Sequence, residues 1–173
     1  MTQYSHVEAH IPLTATLLPR ERWEEVTSRI IEDPVVTEFR TPPRVTDEAL
    51  AEWLNLLDSK LDAVLKLLTL AREGFASLPL RGVTIHGGGM VFGSSQNFPA
   101  GSVVEIKMVL PTVSPLAMYV YGKVTSTVAE VDGRWAVAVD FVYMEEQVRD
   151  EIIEFVFQRE RELIREKKEG GQA

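Results

Sequence analysis

The chain has 173 residues, of which 45% are hydrophobic and 25% charged, which suits one globular domain with or without a helical extension. The net charge of -8 argues against a nucleic-acid partner, because binding to phosphate backbones requires concentrated Lys and Arg. The absence of cysteine excludes disulfides, thiolate nucleophiles and zinc–thiolate sites. There is no signal-peptide pattern and no apolar run of the ~18–20 residues that a membrane span requires. We therefore expect a cytoplasmic protein that does not insert into membranes.

Residues 1–44 are expected to form an N-terminal extension outside the main domain. Residues 10–18 suit an extended segment, and residues 19–31 suit a short helix that stops before Pro34. Pro42 and Pro43 predict a stiff linker, because each proline restrains its own backbone and that of the residue before it.

Residues 45–74 carry the clearest helical pattern in the sequence. Thr46 suits the N-cap, acidic residues follow in the first turn, and Gly74 is well placed to end the helix. Apolar residues spaced alternately four and three apart form a heptad seam, which is typical of helices that pack against other helices. The seam consists of Leu50, Leu54, Leu57, Leu61, Val64, Leu68 and Ala71. We predict that it drives oligomerisation.

A second apolar series lies beside the first on the same helix. It consists of Trp53, Leu56, Ala63, Leu67 and Leu70, with Lys60 as its one polar member. A helix that lies on its own domain usually needs a single apolar stripe. Two stripes predict two partners, namely the domain core and another copy of the chain, in a dimer or a tetramer. The alternative is a helix buried in a single core.

Residues 75–144 have the pattern of several short strands. Apolar residues alternate in residues 104–110 and 135–141, and Asp132-Gly133 is a strong hairpin signal between the last two strands. Short strands joined by Gly and Pro predict a small antiparallel barrel. Residues 145–168 then form a C-terminal helix, and residues 169–173 are expected to be disordered. The predicted fold class is mainly β with helices.

Three segments, in order, resemble the PilZ family of bacterial domains. Residues 83–92 are similar to the family's signature stretch, (D/N)-x-S-x-x-G, and residues 98–106 to its entry into the next strand. Residues 137–149 are similar to its final strand and closing helix. The resemblance implies a six-stranded antiparallel barrel over residues 75–144. It also implies a place in cyclic di-GMP-linked control of motility, surface attachment or virulence.

The signature positions depart from the pattern of family members that bind cyclic di-GMP. Thr84 stands where Asp or Asn is expected and His86 where Ser is expected, so that Gly89 alone is retained. A glycine there has a structural explanation, since it permits a left-handed backbone or a close approach of two strands.

The arginines depart as well. Family members that bind the nucleotide hold it with an R-x-x-x-R pair, because arginine offers a planar, permanently charged fork. No such pair stands directly before the predicted barrel. Arg40 and Arg44 have this spacing but precede the heptad helix, and Arg81 stands alone. We therefore expect no bound cofactor.

No enzyme is predicted. The run Gly87-Gly88-Gly89 lacks the Lys-Ser/Thr ending of a phosphate-binding loop, and no serine has a nucleophile-elbow setting. His6 and His10 would chelate a metal only on a helix, and their segment suits an extended chain.

We interpret the chain as a non-enzymatic adaptor that self-associates and contacts other signalling proteins without binding cyclic di-GMP. The first alternative is a true receptor that uses Arg40, Arg44 or Arg81 in an altered site. The second alternative is an accessory barrel that binds a different small ligand.

Overall fold

The structure is a computed structural model, and it describes residues 4–32 and 42–171. The predicted class, mainly β with helices, is confirmed. In chain order the elements are strand β1 (His6–Leu17), a 3-10 turn (Arg20–Arg22), strand β2 (Arg29–Ile30), helix α1 (Glu48–Arg72), strands β3 (Leu80–His86), β4 (Gly89–Ser94), β5 (Val103–Leu110), β6 (Leu116–Ala129) and β7 (Trp135–Val142), and helix α2 (Glu146–Gly170).

Six strands form an antiparallel barrel in the order β6-β5-β1-β3-β4-β7, which closes because β7 pairs with β6. Residues 6–12 of β1 pair with β3, and residues 13–17 pair with β5. This change of partner follows Pro12, whose nitrogen has no hydrogen to donate to a neighbouring strand. The two residues of β2 add to the edge of β6.

Alternating apolar side chains fill the barrel. The predicted inward residues of β5 and β7 are buried, except that Trp135 is only partly buried, and Ile106 and Val137 have no exposed surface. Helix α2 adds Val148, Ile152, Phe155 and Val156 to this core. Each such side chain contributes ~1.5–3 kcal/mol when it is fully buried.

The assignment of residues 1–44 to an extension outside the barrel is wrong at its start. β1 lies between β3 and β5, and its alternate residues Val7, Ala9, Ile11 and Leu13 are buried in the core. The expected helix over residues 19–31 is reduced to one 3-10 turn followed by β2. The predicted start of the barrel at residue 75 is wrong. The barrel includes β1, which precedes α1 in the chain, whereas β3 and β5, the strands that pair with β1, follow α1.

The chain divides into two compact units, residues 1–30 with 78–173, and residues 31–77. The first unit is the barrel with α2. In the second unit, the N-cap of α1 is Asp47, one residue after the predicted Thr46. The Asp47 side chain accepts a hydrogen bond from the Leu50 amide at 3.1 Å. Gly74 ends the helix as predicted, in a left-handed conformation with φ 82°.

No described residue of α1 is buried. The described residues of 31–77 therefore supply no core that covers either apolar stripe of α1.

Helix α2 extends beyond its predicted end at residue 168. Glu169 and Gly170, which were expected to be disordered, are its last residues. Residues 172 and 173 of that expected tail lie outside the described residues.

Candidate functional site

The hairpin between β3 and β4 carries the signature positions. Its turn is Gly87-Gly88, and His86 pairs with Gly89 across it. Thr84 is half-buried on the outer side of the sheet, in register with Glu8 of β1 and Val91 of β4. The structure thus brings Thr84, His86 and Gly89 to one end of one hairpin.

The retained Gly89 has a structural role. A Cβ at this position would collide with the backbone carbonyl oxygen of Val139 on β7. Its φ is not positive, so the close approach of β4 and β7 is what requires glycine here.

Arg81 joins three strands of the barrel. Its Nε donates a hydrogen bond to the Leu13 carbonyl oxygen and one terminal nitrogen donates to the Gly93 carbonyl oxygen, both at 3.2 Å. The guanidinium therefore satisfies backbone acceptors on β1 and β4. The Arg81 side chain that makes these bonds is partly buried.

Tyr4 covers the turn of the hairpin. Its ring stacks on His86, with 6.1 Å between ring centroids and 20° between the planes. A Cβ on Gly87 would lie 2.9 Å from the tyrosine ring, and one on Gly88 would lie 3.1 Å from it. The two glycines thus make room for Tyr4. Sequence reasoning missed this contact, because a single tyrosine near the N-terminus belongs to no periodic pattern.

Two further contacts fix this arrangement. The Ser5 hydroxyl donates to the Glu160 carboxylate at 2.9 Å, which joins the segment before β1 to α2. The His86 Nδ1 accepts a hydrogen bond from the Gly88 amide at 3.0 Å. Burial lowers the pKa of His86 below its ordinary value, and Asp140 partly opposes this shift. The neutral imidazole is therefore favoured, and its Nδ1 remains an acceptor.

A shallow hollow lies beside Thr84 on the outer side of β1, β3 and β4. Its volume is about 420 Å³, and Gly82 and Gly93 contribute to its floor. A Cβ on Gly93 would meet no atom within 4 Å, so the missing side chain helps to keep the hollow open. His10, Glu130 and Arg159 supply polar groups at its margin.

The second candidate surface is the apolar face of α1. Six of the seven seam residues predicted to drive oligomerisation are each 45–62% exposed. They are Leu50, Leu54, Leu57, Leu61, Val64 and Leu68. Trp53, Leu56 and Leu67 of the second series are exposed as well. Both series together form an exposed apolar surface of the kind that marks an interaction site.

No family model matches the chain, and no curated protein sequence matches it. A solved structure does. It is a pathogenic protein from Xanthomonas campestris, described as a new tetrameric PilZ domain self-assembled via an unusual helical bundle. The two structures have a TM-score of 0.60 and 17% sequence identity, over 95% of this chain and 92% of that chain. The chain has the fold of a PilZ domain. The resemblance inferred from the sequence is confirmed as a shared fold.

The candidate arginines fall in different parts of the chain. Arg81 lies in strand β3 of the barrel. Arg40 lies outside the described residues. Arg44 is exposed in the second unit, ahead of α1.

No helix in the described part of the chain is long and apolar enough to cross a membrane. Among residues 4–32 and 42–171, no group of three or more His, Asp or Glu side chains is arranged to hold a metal ion.

Proposed function

We propose that the chain is a non-enzymatic adaptor of the PilZ type that assembles through α1. The exposed apolar face of α1 carries this proposal. Covering it between copies would contribute ~1.5–3 kcal/mol for each fully buried leucine. The Xanthomonas campestris protein of the same fold is described as tetrameric and self-assembled via a helical bundle. A tetramer suits α1, because its apolar face is wider than the narrow seam of a two-helix coiled coil.

The test replaces two residues of the exposed seam. Leu57→Asp with Leu61→Asp is expected to convert the assembly to a monomer, because two charges would be desolvated in the interface. Mass is measured by light scattering, and circular dichroism checks that the β-rich fold is kept. Ser59→Asp adds a charge to the polar side of the same helix and is the control. Wild-type protein that is monomeric at high concentration would contradict the proposal.

We further propose that the barrel does not bind cyclic di-GMP. Two observations support this: the hydrogen bonds of Arg81 to two backbone carbonyls, and the cover of Tyr4 over the turn. Calorimetric titration of the nucleotide into tens of micromolar protein is expected to give no saturable heat. Saturation at a defined stoichiometry would favour the receptor alternative, with Arg44 and Arg81 as the first residues to replace.

In this proposal the barrel and the charged end of α2 contact other signalling proteins, in pathways that cyclic di-GMP controls. The hollow beside Thr84 is the place where the other alternative, a small-ligand barrel, would act. Melting temperatures measured across a metabolite panel test that alternative, because a ligand that binds only the folded state raises the melting temperature.

A further inference from the structure

Helix α1 has a groove on one side and a bulky exposed residue on another. The groove has a volume of about 610 Å³ and lies between the diproline segment and the first half of the helix. It is lined by Pro42, Pro43, Val45, Ala51, Leu54, Asn55, Leu57, Asp58 and Leu61. Trp53 lies at the same height along α1 but outside this lining, and 64% of its surface is exposed.

The groove and Trp53 face different directions. Each residue turns an α-helix by about 100°, so Leu54 lies about 100° and Asp58 about 140° around the axis from Trp53. A contact between two helices covers a stripe of about 100°. One neighbouring helix therefore cannot cover both the groove and Trp53, and each copy needs two neighbours.

The chemistry of the groove suits an indole. Leu54, Leu57 and Leu61 give it an apolar lining, and Asn55 and Asp58 bring side-chain oxygens to it. An indole combines a large apolar body with one N–H group that only donates hydrogen bonds. A buried tryptophan surrounded by leucines is also the kind of residue that dominates the energy of an interface.

We propose that Trp53 of one copy occupies the groove of the next copy, with its Nε1–H donating to Asp58 or Asn55. This inference rests on the proposed assembly through α1 and adds to it the direction and register of the helices. Trp53 and the groove lie at the same height, so neighbouring helices are parallel and in register. Since the two contact surfaces differ, the contact is heterologous and the assembly closes as a ring.

Engineered disulfides test this arrangement, because the chain has no cysteine of its own. A chain with Trp53→Cys and Asn55→Cys is expected to form, on oxidation, a ladder of cross-linked species that ends at the number of copies in the assembly, because Asn55 lines the groove and differs from residue 53 by only about 3 Å along the axis of in-register helices. The two cysteines of one chain lie about 200° apart around the helix, so their side chains point in opposite directions and cannot form a disulfide. Trp53→Cys with Ser59→Cys, on the polar side, is the matched control and is expected to stay uncrosslinked.

The outcomes separate this inference from the proposed function. A ladder confirms the heterologous ring. Cross-linking that stops at dimers would show a reciprocal pair, and its absence in a protein that keeps its assembled mass would show a different packing. Either result overturns the inference and leaves self-association intact. A wild-type monomer would instead overturn the proposed function.

A second pair avoids the loss of Trp53. Lys60→Cys with Asp62→Cys repeats the same two-residue offset one heptad later and leaves the tryptophan and the groove unchanged. If the first variant dissociates under reducing conditions, this pair is expected to give the same ladder. An assembled protein without that ladder again overturns the inference.

Discussion

Helices α1 and α2 are each 25 residues long, but they use their apolar residues in opposite ways. α2 buries one stripe of four residues in the barrel core, and its second half is charged and exposed. α1 has the more apolar sequence and buries no described residue. An apolar helix face therefore predicts that the face is buried in a contact, but it does not tell whether the contacting residues belong to the same chain.

The number of apolar stripes along each helical segment of the sequence distinguishes the two helices. The apolar residues of α2 form one stripe and pack on one core. α1 carries two series side by side, and two series predict two contacts. In the proposed ring, both are contacts with other copies.

The largest expected effect is on the free energy of unfolding, when one large apolar side chain is replaced by alanine in each helix. Ile152→Ala removes a fully buried side chain of α2 and is expected to lower the free energy of unfolding by about 2–5 kcal/mol. Leu61→Ala in α1 is expected to leave the unfolding of the dissociated protein nearly unchanged and to weaken assembly. Urea unfolding at low concentration and light scattering measure the two effects. Equal losses of stability would contradict the distinction between the helices.

Much of the fold follows from local patterns. The alternation in β5 and β7, the β6–β7 hairpin with Gly133 at φ 76°, and both long helices are visible in short windows of sequence. β1 is not, because its burial depends on strands that follow only after the α1 insertion. Glu, Ala and Pro within β1 also give a weak strand signal.

The candidate site was less predictable than the fold. Of the two reasons offered for Gly89, the close approach is the one that applies, and only the neighbouring strand reveals it. The bonds of Arg81 to carbonyl oxygens of β1 and β4 depend on the order of strands in the barrel. The stack of Tyr4 on His86 joins residues that no sequence period connects.

The next effect lies within the barrel and is expected to leave the assembled mass unchanged. Gly89→Ala forces β4 away from β7, because its Cβ would meet the Val139 carbonyl, and overpacking of this kind costs about 1–3 kcal/mol. Gly93→Ala, in the same strand, is the matched control. Its Cβ meets nothing within 4 Å, so a change within about 0.5 kcal/mol is expected. Equal melting temperatures for the two variants would contradict the close approach.

A smaller effect on stability is expected from Tyr4, which covers the turn between β3 and β4. Tyr4→Ala removes the stack on His86, and an aromatic pair of this kind contributes about 0.5–1.5 kcal/mol. Gly88→Ala is expected to destabilise the wild type and to have less effect once Tyr4 is absent, since the tyrosine ring is what its Cβ would press against. A double-mutant cycle on unfolding free energies measures this coupling. Additive effects would show that the ring does not cover Gly88.

The smallest effect is a dependence on pH. Burial lowers the pKa of His86 in the folded chain, Asp140 raises it in part, and His6 lowers it further. The unfolded chain then binds the proton more readily, so the contribution of His86 to stability is present above its ordinary pKa of about 6.5 and is lost as the pH falls below it. His86→Gln is expected to reduce the loss of stability on acidification, measured by urea unfolding at several pH values. In Tyr4→Ala the imidazole is less buried, so its pKa, followed by NMR, is expected to rise. An unchanged titration would mean that barrel residues other than Tyr4 exclude water from this imidazole.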